Sequence, residues 1–479
     1  MRIDLASLGN IHDLGTGKSA GGAGLSGLVA GRAALLLARG VGRGTVVAIG
    51  HGGSLDFFLD LFAVWSLGGT AACIDASLTA GERANLSAFA RPVVALVSSD
   101  AEAAGWQVPL ENLTDAPAGE VVPPAAASHL DDAAVILFTS GTTGAPKGVV
   151  LTFRALFARI ALNHAHIGSP LTGRALVTLP THFGHGLIGN ALTPLFAGGD
   201  IVLAPRGLSL AKDLGRLIDA EGITFMSSVP TLWRMALKLS NAPVAGALKR
   251  VHVGSAPLSA ALWSDIAVWS RAATVNCLGI TETANWIGGA SSDVDGIEDG
   301  FVGKPWGGRV AVRLDDGRVL AHGEGEIVVQ TPSLMSGYLN RPDLTAAALE
   351  DGWYRTGDQG FVDARGVTVA GRIKDEINRA GFKIQPAEID MLIEQHEAVA
   401  EACAFAIPDA ISGEIVGAAI RFKPGSIADL DSVKQFCRAR LRREATPERW
   451  FAVDEIPRTS RGKVSREAVR KVLIEGSRS

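Results

Sequence analysis

Short apolar, β-branched runs alternate with helix-length amphipathic stretches along most of the chain. "TVVAIG" (45–50) precedes "SLDFFLDLFAVWSL" (54–67), and "VVALVS" (93–98) and "AVILF" (134–138) read as strands. "LTFRALFARIALNHA" (151–165) reads as a helix with Ala155, Ile160 and Leu162 near one side. "ALVTL", "DIVLA", "ITFMSS" and "RVHVG" follow, each trailed by a helical pattern. Unbroken apolar strands are buried on both faces, and strand–helix alternation of this length predicts an α/β domain with largely parallel sheets.

After Gly300 the period changes to two. "RVAVRLDDGRVLAHGEGEIVVQ" (309–330) carries "DDG" as a hairpin turn and predicts a small β-rich subdomain over about 301–371. The charged stretch "GRIKDEINRAGFKI" (371–384) separates it from a final α+β segment. The expected division is a large N-terminal domain of layered α/β sheets, 1–371, and a small mobile C-terminal domain, 372–479. The Pro/Ala-rich stretch within 99–133 reads as a surface loop.

Composition narrows the classes. A chain of 479 residues is too long for one compact core. With 47% apolar and 20% charged residues it is globular. A net charge of −4 offers neither a basic footprint for nucleic acid nor a polybasic membrane tag. The most apolar region, 45–74, is interrupted by "GHGGSLD" and "LGG", so no membrane span is expected. Cys73, Cys277, Cys403 and Cys437 lack metal-type spacing, and "MRIDLASLGN" lacks a secretory pattern; a reducing, cytoplasmic setting is the expectation.

Three motifs are weak. Gly17-Lys18-Ser19 resembles the tail of a Walker loop, but the leading glycine is replaced by His12 and no strand is expected before it. Gly22 to Gly27 fits GxGxxG, again without an expected lead-in strand. His182 and His185 are spaced as a metal pair, yet Phe183-Gly184 between them argues for a turn, and packing or substrate contact is the better reading.

"TSGTTGAPKG" (139–148) is different. It follows a strand, it is dense in hydroxyls and glycines, and it ends on a lysine. Glycines let successive backbone N–H groups approach an anion closely. This stretch resembles the phosphate loop of the adenylate-forming superfamily of acyl-CoA synthetases, adenylation domains and luciferases. Further segments resemble that family in the same order: "LGITE" (278–282), "GEIVVQTPSLMSGYLN" (325–340), "DGWYRTGDQG" (351–360), "GRIKDEINRAGFKIQPAEID" (371–390) and "PRTSRGKVSR" (457–466). A weaker one is "LGGTAACIDASLT" (67–79).

The resemblance implies roles. Thr139, Ser140, Gly141, Thr142, Thr143, Gly144 and Lys147 would hold the β- and γ-phosphates of ATP. Thr281 would meet the α-phosphate and Leu278 the adenine. Asp358 would accept from the ribose hydroxyls, with Arg372 beside it. Glu282, with Thr139, would bind Mg2+, a hard cation that takes oxygen ligands. Lys463 would be the catalytic lysine bridging the acid's carboxylate and the α-phosphate. Lys374 would be the hinge between two half-reactions, and Gly381 would let a pantetheine arm pass.

The chain departs from the family where a tyrosine usually precedes "GxTE": here it is Leu278, with Trp286 available to compensate. The His182-Phe183 order is reversed against many relatives, and Asn378 replaces a common lysine. No acidic residue occurs in 174–199, so an α-amino acid would bury an unpaired ammonium and is disfavoured. Phe183, His185, Val229, Ser255, Leu278 and Ile280 form an expected pocket wall, mostly apolar, suited to an acid with an aliphatic or aromatic body. The implied activity is ATP-dependent formation of an acyl adenylate followed by acyl transfer to coenzyme A. The alternatives are a stand-alone loader of a carrier protein's phosphopantetheine and a non-catalytic nucleotide sensor.

Overall fold

The computed structural model describes residues 3–120, 129–139, 147–380, 382–427, 429–458 and 464–475. Three sheets organise them. The first has seven strands, in the order Gly337–Tyr338, Lys147–Thr152, Ala133–Thr139, Thr70–Cys73, Val46–Ile49, Val94–Leu96 and Leu110–Glu111. The five from Ala133–Thr139 onward are mutually parallel. Leu110–Glu111 precedes the Pro/Ala-rich stretch and is too short to show a period.

The second sheet has fifteen strands. Its parallel part runs Ala273–Ile280, Arg250–Val253, Phe225–Ser228, Arg174–Val177, Asp200–Leu203 and Ile11–Asp13. On the other side it passes through Asn285–Ser291 and Phe301–Pro305 into the antiparallel strands of 309–372. The hairpin turn "DDG" forms as expected: Gly317 has φ 89° and Asp316 Oδ1 accepts from Arg318 N. The β-rich segment is thus continuous in hydrogen bonding with the α/β sheet.

Two decoy motifs need correction. Ile11–Asp13 does precede Gly17-Lys18-Ser19, and Lys18–Ala20 does lead into Gly22. Three-residue edge strands leave no readable period. Even so, Lys18 lies in the return strand of a hairpin whose turn is closed by Gly17 N donating to Asp13 O, which is not a phosphate loop.

The largest core lies between the first two sheets. Helices Gly22–Ala38, Leu55–Ser66 and Phe153–Ile167 are sandwiched there, with residues from both sheets against them. Helix Leu55–Ser66 starts because Ser54 accepts from Phe57 N, and it buries Phe57, Phe58, Phe62 and Trp65. Helix Leu208–Ala220 is one-sided instead: Leu210, Leu214 and Ile218 recur at helical spacing and cover the outer face of the second sheet. Each such side chain stabilises by about 1.5–3 kcal/mol on burial.

The third sheet has five strands: Phe382–Ile384, Ile377–Arg379, Gly413–Phe422 and Val399–Asp409, with Arg449–Ala452 on Gly413–Phe422. It has its own core, including Ile377, Ile389, Ile420 and Val433. The chain crosses from the second sheet to the third in the turn Ile373–Asp375. Among the described residues no helix is long and apolar enough to cross a membrane.

Candidate functional site

Thr139 and Lys147 face each other across the strand pair Ala133–Thr139 and Lys147–Thr152. Ser140, Gly141, Thr142, Thr143 and Gly144 lie between them, outside the described residues, as do Gly381 and Lys463. The Gly337–Tyr338 strand pairs Tyr338 with Val149, and Lys147 Nζ stands 5.5 Å from the centre of the Tyr338 ring. The Tyr338 hydroxyl donates to Glu282 Oε1 at 2.7 Å. Glu282 sits in the turn Thr281–Thr283, and its carbonyl accepts from Met335 N.

Tyr354 lies close enough to Tyr338 and Glu282 for their electrostatics to act on it. Both phenols are pushed above their ordinary pKa, first by burial and then by the Glu282 charge, so both remain protonated donors. Arg372 is close enough to act electrostatically on both rings, and its Nε lies 2.7 Å from Asp358 Oδ1. Asp358 and Arg372 are direct cross-strand partners, which fixes this pair by register. Asp358 is buried while Arg372 is half-exposed.

Neither tyrosine was singled out from sequence, although both lie in quoted motifs. A signal was present: the chain has two tyrosines in all, and both fall here.

On the facing side, His185 links two strands' ends. Its Nδ1 is 2.8 Å from Ser255 Oγ and its Nε2 2.6 Å from Ser227 Oγ. His185–Leu192 is wound as a π-helix, and a Cβ on Gly189 would collide with Asn285 Nδ2. Such windings recur at functional sites. Ser255, Ala284 and Asn285 all have positive φ, 67°, 58° and 103°, rare for residues with a side chain. Leu278 and Ile280 flank Gly279 on Ala273–Ile280, Val229 opens helix Pro230–Leu239, and the Phe183 ring packs on His182 at 4.3 Å.

His182 Nε2 sits 3.3 Å from Asp75 Oδ2, and no cluster of three metal-ligating groups occurs among the described residues. Trp286 offers no ring face beside Leu278: it is 1% exposed and packs against His185, His252, Phe225 and Trp306. Buried His252 packs against the Trp286 ring, and buried Asn285 lies beside Gly279.

Lys374 is exposed in the Ile373–Asp375 turn. The flanks of Lys463 are described: Arg458 and Val464 form an antiparallel bridge. Arg458 Nη1 reaches Thr231 Oγ1 at 3.4 Å, two residues from Val229. Arg234 on the same helix pairs with Glu394 at 2.7 Å. These contacts bring the C-terminal sheet's surroundings to the cleft.

A model of the AMP-binding enzyme family matches residues 23–339, and one of the AMP-binding enzyme C-terminal domain matches 388–463. The chain belongs to the AMP-binding enzyme family. It is 29% identical over 461 residues to an oxalate–CoA ligase of Arabidopsis thaliana, covering 91% of this chain and 90% of that one. It is 30% identical over 466 residues to a 4-chlorobenzoate–CoA ligase of Arthrobacter sp, covering 93% and 88%. Its fold matches the o-succinylbenzoate coenzyme A synthetase of Bacillus subtilis in complex with ATP and magnesium ion, with TM-score 0.85, 26% identity and 96% of each chain covered.

The donor set fits magnesium. Glu282 pairs with no lysine or arginine among the described residues, so its charge stays available to a dication, and Thr139 ends the neighbouring strand with a hydroxyl. One carboxylate with phosphate oxygens and water is a usual magnesium shell.

Proposed function

We infer that this AMP-binding enzyme is an AMP-forming acid–thiol ligase. It joins a carboxylic acid to ATP as an acyl adenylate, releasing pyrophosphate, and passes the acyl group to the thiol of coenzyme A. The observation that carries the reading is the run of contacts from Lys147 over Tyr338 to Glu282, with the Arg372–Asp358 pair near enough for Arg372 to act electrostatically on the Tyr338 ring. The segments around residues 147, 282, 338, 358 and 372 meet there, and together they supply the cations, carboxylates and hydroxyl that nucleotide and metal chemistry needs. The relatives named above act on oxalate, 4-chlorobenzoate and o-succinylbenzoate, none an amino acid.

In the first half-reaction a carboxylate oxygen attacks the α-phosphorus and the bond to pyrophosphate breaks. In the second, the thiol sulfur attacks the acyl carbon and AMP leaves. Asp358 holds the ribose, held in place itself by Arg372. Thr281 meets the α-phosphate and Leu278 the base. Thr139, Ser140, Gly141, Thr142, Thr143, Gly144 and Lys147 hold the outer phosphates. Magnesium, on Glu282 and Thr139, would offset negative charge on the phosphates. Lys463 supplies the mobile cation; the contact of its neighbour Arg458 with Thr231 supports that role. Phe183, His185, Val229, Ser255, Leu278 and Ile280 line the acid's side.

The domain junction is proposed at 371/372, with Lys374 as hinge and Gly381 beside the incoming pantetheine. The crossing between sheets at Ile373–Asp375 supports it. A cytoplasmic location belongs to the same proposal, supported by four buried, unpaired cysteines. The test is a panel of carboxylic acids assayed for ATP-dependent pyrophosphate release, then for AMP release with coenzyme A or a pantetheinylated carrier protein as acceptor. Acid-dependent release completed by coenzyme A is expected. Nucleotide binding without turnover on any acid would overturn the reading.

A further inference from the structure

The acid's side of the cleft contains buried groups with no task in the reaction as written. Gly279 is the exposed residue of its strand, and a Cβ there would stand 3.1 Å from Asn285 Oδ1 and 3.2 Å from Trp286 Cδ1. Behind it three rings touch one another. Trp286 and His252 are 4.5 Å apart, His252 and Trp306 5.4 Å, and Trp286 and Trp306 6.3 Å, centre to centre. Arg159 ties down the Trp306 carbonyl at 3.0 Å, and His166 stacks on the Trp306 ring at 4.1 Å.

Asn285 Nδ2, Trp286 Nε1, His252 Nδ1 and Trp306 Nε1 are all buried, and none has a hydrogen-bond partner among the described residues. Each is a donor. For His252 this follows from its neighbour: Arg250 Nε donates to His252 Nε2 at 2.9 Å, so Nε2 must accept and the ring hydrogen resides on Nδ1. Buried donors are nearly always paired in native proteins, and leaving one dry is costly. Four in one neighbourhood, two of them on consecutive residues and one of these at a φ of 103°, call for a common acceptor.

The acceptor's chemistry is constrained. A cation would meet only hydrogens. A hydrocarbon tail would leave every donor dry. Arg250 adds positive charge; Asp293 and Asp295 act on it from a distance, but neither is within ion-pair reach. We propose that these donors form the far end of the acid pocket and select acids carrying a second anionic group, a carboxylate or sulfonate, at the end remote from the reacting carboxylate. The proposal rests on the ligase reading for the near end of the acid.

The test compares α,ω-dicarboxylic acids of increasing length, and the matching ω-sulfonated acids, with monocarboxylic acids of equal carbon count. The expected result is a preference in kcat/KM on the order of a hundred-fold for one length of dianionic acid, since a site built of donors rejects analogues that leave them unpaired. Trp286→Phe and Trp306→Phe keep the ring and remove the N–H; each should cut that ratio about tenfold while changing the rate with the monoacid much less. A merely structural role would lower both rates together.

Equal or better use of the monoacids, or ratios unchanged in both variants, would overturn the proposal and assign the donors to ordered water. A second measurement does not need turnover: titration of tryptophan fluorescence with the free acids, without ATP. Saturable quenching by the dianionic acid alone, weakened in Trp306→Phe, supports the proposal even if no acid is adenylated, an outcome that would sink only the ligase reading. Absence of such quenching with adenylation intact would sink only this one.

Discussion

The two sides of the cleft differ in how their polar groups are satisfied. On the side proposed for the nucleotide, the Tyr338 hydroxyl donates to the Glu282 carboxylate, and Asp358 is matched to Arg372. On the side proposed for the acid, four buried donors have no acceptor among the described residues. The contrast teaches that one half is assembled before its ligand arrives and the other is completed by it. Preorganised charge suits ATP, which is the same in every turnover, and open donors suit the partner that must be chosen.

The comparison can be broken in several ways. The largest effect is expected from Lys463→Ala. It should slow acyl adenylate formation about a hundred- to thousand-fold, in line with loss of one electrostatic contact to a developing charge, while sparing thioester formation from supplied acyl adenylate. Single-turnover assays of each half-reaction check this; equal losses would mean that the lysine serves both.

Tyr338→Phe removes the donor to Glu282 and breaks the preassembled side at its centre. A hydrogen bond to a charged group contributes about 1.5–3 kcal/mol, so adenylation should fall about tenfold or more, with a higher magnesium requirement. Magnesium titrations of pyrophosphate release measure it. An unchanged magnesium dependence would show the Tyr338–Glu282 contact to be structural only.

Arg234→Ala leaves the part-buried Glu394 without this partner, between helix Pro230–Leu239 and helix Pro386–Glu394. If the proposed swivel releases this contact for the second half-reaction, adenylation should slow several-fold and thioester formation should not. The same half-reaction assays decide, with Glu394→Gln as the matching variant.

The smallest effect is one of pH. Burial, helped by the charge of Arg250, holds His166 down from the ordinary 6.5 to about 4. The unfolded chain therefore binds a proton in that window while the folded one does not. Stability is whole above about 6.5 and falls as pH drops toward about 4. Thermal melts across this range should show a shallower slope for His166→Phe than for the parent protein.

Much of the nucleotide side was legible because its residues lie in short ordered motifs on predictable strands. Asp358 and Arg372 were named from two separate segments, and the register places them opposite one another. The Tyr338–Glu282 contact was not legible, since nothing local in "SGYLN" says that its hydroxyl reaches Glu282; only the sheet order brings them together. The acid's side was least readable. His252 and Trp306 are core-like residues in sequence, and the missing acceptor that sets them apart is visible only once their neighbours are known. Trp286 reads in sequence as a ring available beside Leu278, because the partners that bury it, Phe225, His252 and Trp306, are long-range. The three-residue strands at 11–13 and 18–20 escaped for the opposite reason: they are held by the sheet edge they join, and their own residues carry little signal.

The scarcity of tyrosine has a practical consequence. Both of the chain's phenols stand near Glu282, the carboxylate proposed for the metal, and Tyr338 donates to it directly. Biosynthetic incorporation of fluorotyrosine would therefore give a fluorine spectrum of two resonances, each reporting from this one place. Nucleotide entry, metal entry and swivelling of the smaller lobe could then be followed in solution as separate displacements of those two lines, with no background from the rest of the molecule.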